Sequence, residues 1–333
     1  MTRLIVLLAV LAVTGMAVSA VATRISRRKA PLAITAGPSV ASRSSEDRAM
    51  LAAQLRAVAG IAFAVVMFVS LFRVSIGVTG QVGLPMALTA GVSASGGLLL
   101  FSALPAGGRK AVRKAWRKAG RKDGRNQQAA DATPGPQARW AGLKPLTLAL
   151  PLLTMAAYAA LLVATGLTSS PDSQGRYRLL HLANTNASTA GPYPGWYYGV
   201  PLLLVTMVLA GSAFLALQRI AGAPSLPDPR MAALDRRWRE ISATVVVRLA
   251  TGVLLGYLGG TSVVAGQAMA SVAWAHDGGH PLQPLLALGF GTGALGALLA
   301  LAGAALVVLA ARGALTIRAA ARAPRPSKGP PQP

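Results

Sequence analysis

Arg56 and Arg248 open two matching runs, Arg56-x-x-x-Gly60-x-x-x-Ala64 and Arg248-x-x-x-Gly252-x-x-x-Gly256, the second continuing to Gly260. Both lie within long apolar stretches, where a guanidinium is costly and needs a partner. Residues four apart stack on one helix face, and small residues at that spacing let neighbouring backbones approach. Each arginine is therefore expected on a packed, inward face, about 10 Å along its helix from the basic end at 1.5 Å per residue. At that depth it either snorkels to the interface or bonds helix carbonyls. The functional reading makes the two a paired cationic site for an anion or a lipid headgroup. The shared spacing also fits a duplicated helical hairpin.

Other residues could do chemistry only with partners that the chain does not place near them. Ser93 and Ser95 sit beside Gly96 and Gly97 in an apolar stretch, but a serine nucleophile there needs a histidine at the same depth. His181, His276 and His280 all fall between apolar stretches, so the serines read as packing residues. His276-Asp277-Gly-Gly-His280 has ligand-type side chains, yet two glycines break the helix that would aim both rings at one metal. All nine acidic residues lie outside the apolar stretches or at their ends, which disfavours proton- or sodium-coupled transport. The chain has no cysteine and no phosphate-cradling loop. No catalytic residue, metal or cofactor is expected.

Two polar segments carry patterned chemistry. From Arg109 to Lys122, helical spacing puts Val112, Ala115, Trp116 and Ala119 on one face, with Lys110, Arg113, Lys114, Arg117 and Lys118 around it. Such a segment is expected to lie on the membrane surface, held by anionic headgroups and anchored by Trp116, besides signalling topology. Nucleic acid is not the expected partner. Farther on, Gly191 to Pro201 reads Gly-Pro-Tyr-Pro-Gly-Trp-Tyr-Tyr-Gly-Val-Pro. Tyr193, Trp196, Tyr197 and Tyr198 are expected as an interfacial aromatic belt, the alternative being an external ligand platform between rigid prolines. Asn186-Ala-Ser188 fits a glycosylation sequon, which matters only in a eukaryotic secretory pathway.

The elements that position these residues follow from hydropathy. With 53% hydrophobic and only 13% charged residues, against about a quarter charged in soluble domains, the solvent of this chain is the bilayer. Apolar spans are expected at about 4–23, 50–72, 83–105, 146–167, 199–218, 242–265 and 285–310, each near the 20 residues a crossing needs. Residues 24–48, 105–144, 218–240 and 312–333 carry 27 of the 33 Lys and Arg. That alternation is the positive-inside pattern, and it parcels out the net charge of +24. The expected fold is an all-α polytopic bundle of about seven helices forming one integral membrane domain, N-terminus outside and C-terminus cytoplasmic, with a basic loop over 106–144 and a disordered tail over 319–333. Val18-Ser19-Ala20 fits a signal-peptidase site. Cleavage is rejected because it would export Arg24, Arg27, Arg28, Lys29, Arg43 and Arg48.

The stretch Pro192 to Gly199, together with Met231-Ala-Ala-Leu-Asp-Arg-Arg-Trp-Arg-Glu240, resembles uncharacterised multi-pass membrane proteins of actinobacteria, mainly over the second half of the chain. The resemblance implies a bacterial plasma membrane and transfers no activity. The expected function is a non-enzymatic accessory, sensory or scaffolding protein, its partners being anionic lipid headgroups and other membrane or cytoplasmic proteins. The alternatives are a small-molecule or anion transporter component, and a membrane-embedded transferase acting on lipid-linked substrates.

Overall fold

The computed structural model describes residues 38–77, 83–104, 145–181, 189–222, 232–275 and 282–322. The chain runs through α1 (Pro38–Ile76), α2 (Leu84–Ala103), α3 (Pro145–Leu167), β1 (Ser169–Pro171), β2 (Tyr177–His181), β3 (Thr189–Ala190), α4 (Trp196–Ala221), α5 (Ala232–Trp274) and α6 (Gln283–Arg322). Six helices among the described residues are long and apolar enough to cross a membrane, which makes this a helical membrane protein. The expected span at 4–23, the basic segment 109–122, both histidines of the 276–280 motif and the sequon all lie outside the described residues.

Several helices exceed the predicted spans. At 1.5 Å per residue a hydrocarbon core of about 30 Å takes about 20 residues, whereas α1, α5 and α6 have 39, 43 and 40. α1 and α6 extend mainly at the basic end, whereas α5 outruns its expected span at both ends, starting at Ala232 and reaching Trp274. The segment from Ala232 to Glu240, expected as part of a loop, is the first two turns of α5, and the expected disordered tail is helical as far as Arg322. The α1–α2 turn closes on Gly83, whose φ of 80° suits a residue without a Cβ, and Pro85 sits in the first turn of α2, where its missing N–H costs no helix bond.

α5 is the hub, with half of its apolar window buried inside the protein. It lies antiparallel to α6 along one seam. Gly252 meets Gly303, Gly259 meets Gly296 and Gly266 meets Gly289; the register extends outward to a Leu282 N–H donating to the Ala273 carbonyl at 3.1 Å. Each rung advances seven residues on α5 and retreats seven on α6, a 3.5-residue period that keeps the seam in register along two gently coiled helices. The predicted face of Gly252, Gly256 and Gly260 is therefore corrected. Gly252 faces its partner glycine directly and the Gly256 backbone touches Gly303 beside it, but a Cβ on Gly256 or Gly260 would point away from the seam and meet nothing within 4 Å. Steps of four residues drift off a 3.5-residue seam.

The α1–α2 contact uses the predicted small residues. A Cβ on Gly97 would lie 2.5 Å from the Gly60 carbonyl oxygen and 2.8 Å from the Ala64 Cβ. Four-residue steps on α1 against seven-residue steps on α5 show that the two hairpins pack by different rules, so their matching sequence runs do not reflect a repeated contact.

The polar stretch between α3 and α4 forms an antiparallel sheet in the order β1-β2-β3, with Ser169 opposite Leu180 and Leu180 opposite Ala190. Leu180 and Tyr193 pack on Ala265, Ala268 and Val272 of α5, which seats the sheet on the arginine-poor end of the bundle.

Gly259→Leu should weaken the bundle by about 2 kcal/mol or more, because overpacking a tight contact costs about 1–3 kcal/mol and the added carbon would strike Ala300 and the Gly296 carbonyl. Gly256→Leu, a few residues away in open space, should be near neutral. Thermal unfolding of the two variants in detergent checks this; equal losses would contradict the seven-residue seam.

Candidate functional site

At the basic end, α2 and α4 terminate with carbonyls that have no intrahelical donor. In a membrane such groups must be satisfied by protein. Three arginines do this. Arg56 of α1 donates from Nε and Nη2 to the Phe101 carbonyl at 3.3 and 3.0 Å, its guanidinium 4.5 Å from the centre of the Phe101 ring. Arg219 of α4 donates from Nε to the Ser102 carbonyl at 3.1 Å. Arg239 of α5 donates from Nη1 to the Ile220 and Ala221 carbonyls at 3.3 and 3.1 Å. Each cation also meets the negative end of a helix dipole. Gln54 adds an amide bond to the Leu315 carbonyl at 2.5 Å.

Arg56 thus faces inward as expected, at 7% exposure. Arg248 does not; it is exposed. α5 and α6 approach so closely at Gly252, where a Cβ would lie 2.8 Å from the Gly303 carbonyl oxygen, that a long side chain one turn away stays outside the seam. The two arginines form no buried pair, and the predicted shared anion site is corrected on that ground.

The arginine end instead carries a cleft of about 510 Å³ between α2 and α4, lined by Leu99, Ser102, Ala103, Leu215, Gln218, Arg219 and Gly222. In the sequence Arg219 stands out only as one of the topology charges of 218–240. Its position in the last turn of a span, next to Gln218, was the available signal.

Deeper in the bundle, the Tyr257 hydroxyl enters α2. It accepts from the Gly91 N–H at 2.6 Å and donates to the Leu88 carbonyl at 3.2 Å. A Cβ on Gly91 would collide with it. Tyr158 of α3 stacks on Tyr257 at 5.9 Å. Most hydroxyls in the spans bond back to a carbonyl of their own helix, as Thr154, Thr206 and Ser262 do. Ser93, Ser95, Tyr158 and Thr251 differ: their buried hydroxyl oxygens have no partner among the described residues.

At the other end, the aromatic stretch is packed rather than open, with Trp196 and Tyr197 half-buried and the other two rings deeper. Tyr193 is 1% exposed and Tyr198 7%. The Tyr193 hydroxyl lies 2.7 Å from Thr168 Oγ1, and burial raises its pKa against that bond. Trp196 covers Gly166, where no Cβ would fit, and Tyr197 stacks edge-on against Tyr198 at 5.0 Å. These rings fasten the sheet to α3, α4 and α5. Asp172 holds the first turn of the sheet: its carboxylate accepts from the Gln174 and Arg176 N–H groups at 2.8 and 2.9 Å and from the side chains of Arg176 and Arg178. Desolvation pushes its pKa up, but these donors prevail and hold it well below the usual carboxylate range. Gly175, at φ 73°, completes the turn.

Arg56→Gln should cost about 2 kcal/mol in unfolding, since a hydrogen bond from a charged group is worth about 1.5–3 kcal/mol, while leaving the sheet untouched. The Asp172 pKa is lowered on folding, so its contribution is full above the ordinary carboxylate value of about 3.9 and fades only as pH falls through the folded value. Hydrogen exchange over 177–181, corrected for its intrinsic pH dependence, should therefore be flat between about pH 7 and pH 5 and faster throughout in Asp172→Asn. A wild-type rise within that range would contradict the clasp. Comparison of the chain with protein-family models, curated proteins and solved structures finds no match.

Proposed function

We propose that this chain is a non-enzymatic plasma-membrane protein of accessory, sensory or scaffolding type, whose basic end faces the cytoplasm and presents the surface that partners and anionic headgroups meet. The observation that carries the reading is where the polar side chains of the spans are engaged. Arg56, Arg219 and Arg239 bond helix carbonyls, and the Tyr257 hydroxyl bonds the α2 backbone. These groups hold helices together. A bundle built this way offers a fixed platform, and 27 of its 33 basic residues fall in segments assigned to one side. The full topology in this reading is seven spans with the N-terminus outside and the C-terminus in the cytoplasm.

A second reading, a small-molecule transporter component, draws support from the buried hydroxyls of Ser93, Ser95, Tyr158 and Thr251, because polar groups left unpaired inside a bundle are places where a substrate or water binds.

Fusions after Pro333 test the proposed sidedness. Green fluorescent protein there should fluoresce and alkaline phosphatase should be inactive, whereas phosphatase inserted after Gln174 should be active. The reverse pattern would overturn the reading of the basic end as cytoplasmic.

A further inference from the structure

We propose that the cleft between the ends of α2 and α4 binds the phosphate headgroup of an anionic phospholipid, with Arg219 and Gln218 as its donors and Leu99 and Leu215 as the floor for the acyl chain. The inference rests on the reading of the basic end as a headgroup-facing surface and adds a specific site to it. The cleft holds one guanidinium, one carboxamide, one glycine backbone, three apolar side chains and Ser102, whose hydroxyl donates to the Leu98 carbonyl of its own helix. Arg219 is tethered by Nε alone to the Ser102 carbonyl. Among the described residues that is its one bond, so the two terminal nitrogens of the fork are open to a phosphate, which matches their spacing. Tethering fixes the fork before a ligand arrives, which lowers the ordering cost of binding.

A helix C-terminus ordinarily repels an anion. Here four of the carbonyls that would do so are occupied: Phe101 by Arg56, Ser102 by Arg219, Ile220 and Ala221 by Arg239. The cleft wall is positive where bare helix ends would be negative. Depth and exposure favour a lipid over a free anion. Arg219 lies about 35 Å along α4 from Trp196 at 1.5 Å per residue, which is the far headgroup level of a bilayer whose core is about 30 Å thick. Leu99 and Leu215 are 44% and 47% exposed, and Phe214 beside them 53%. They extend an apolar track from the cleft toward the lipid side.

The full chain, purified in detergent and titrated with phosphatidylglycerol or phosphatidylcholine of matched acyl chains, tests this by native mass spectrometry of bound lipid. One phosphatidylglycerol should bind in preference to phosphatidylcholine. Arg219→Gln should weaken it by about fivefold to tenfold, the worth of one cation near an anionic lipid. Leu215→Trp, which narrows the cleft at unchanged charge, should weaken it too, and Arg236→Gln, an exposed cation outside the cleft, should not. Thermal unfolding of each variant separates lost binding from lost fold; if Arg219→Gln unfolds, Leu215→Trp decides. Equal losses in the Arg219 and Arg236 variants would overturn the cleft while leaving a diffusely attractive basic face. No preference for phosphatidylglycerol would overturn both. Displacement of the lipid by millimolar glycerol 3-phosphate would assign the site to a free phosphate and overturn the lipid.

Discussion

Backbone contact between α5 and α6 is the constraint on which the rest of the bundle depends. Lipid tails are as apolar as leucine, so two helices in a membrane gain little by burying leucines against each other and must gain from close packing instead. Glycine at 252, 259 and 266 facing glycine at 303, 296 and 289 lets the backbones touch and their Cα–H groups approach carbonyl oxygens. α1 meets α6 only farther on, where Gln54 bonds the Leu315 carbonyl, and over its N-terminal half α6 needs little beyond this narrow stripe. Leu288, Phe290, Leu295, Leu298 and Leu301 around it stay exposed, a surface suited to acyl chains. Because one face of α5 is fully occupied by α6, its other faces are free to carry Tyr257 into α2 and Val272 beneath the sheet.

Much of this was legible in the sequence, and the parts that were not share a cause. Hydropathy located the helices because the bilayer demands about 20 apolar residues whatever the neighbours are. The small residues at 60, 64 and 252 marked real contacts. The seam's period escaped because Ala and Gly are so frequent here that four-residue and seven-residue spacings can both be drawn through them; only a partner helix selects one. The sheet escaped for another reason. Its strands have five residues or fewer and no clean alternation, and their register is set by Asp172, Gly175 and the cover of Tyr193 rather than by strand propensity.

Arg56 and Arg248 show the same limit at the level of a site. Identical local patterns placed both on a glycine-bearing face, yet one is buried on a carbonyl and the other exposed. What differs is the opposing helix: α2 ends at the depth of Arg56 and offers the Phe101 carbonyl and ring, whereas at the depth of Arg248 α6 is still an unbroken helix whose carbonyls are already bonded. A guanidinium follows available acceptors, and acceptors come from helix ends, which a single helix's sequence does not reveal.

The two ends of the bundle solve the same problem with different chemistry. At the basic end, orphan carbonyls of α2 and α4 are taken by arginines from neighbouring helices. At the other end, α1, α3 and α5 terminate, and among the described residues the only cation in a last turn there is the exposed Arg73. Short polar side chains and turns do the work: Ser75 bonds the Leu71 carbonyl at 2.7 Å, Thr168 the Ala164 carbonyl at 3.0 Å and Ser271 the Gln267 carbonyl at 2.8 Å. The charge bias that orients a membrane protein thereby also decides how its helices are capped. Arginine reaches across to a neighbour and couples helices at the end where it is abundant. The Ser75 and Ser271 hydroxyls close their own turns, so the opposite end needs another means of coupling, and the small sheet with its buried tyrosines supplies it, Tyr193 reaching the Thr168 hydroxyl.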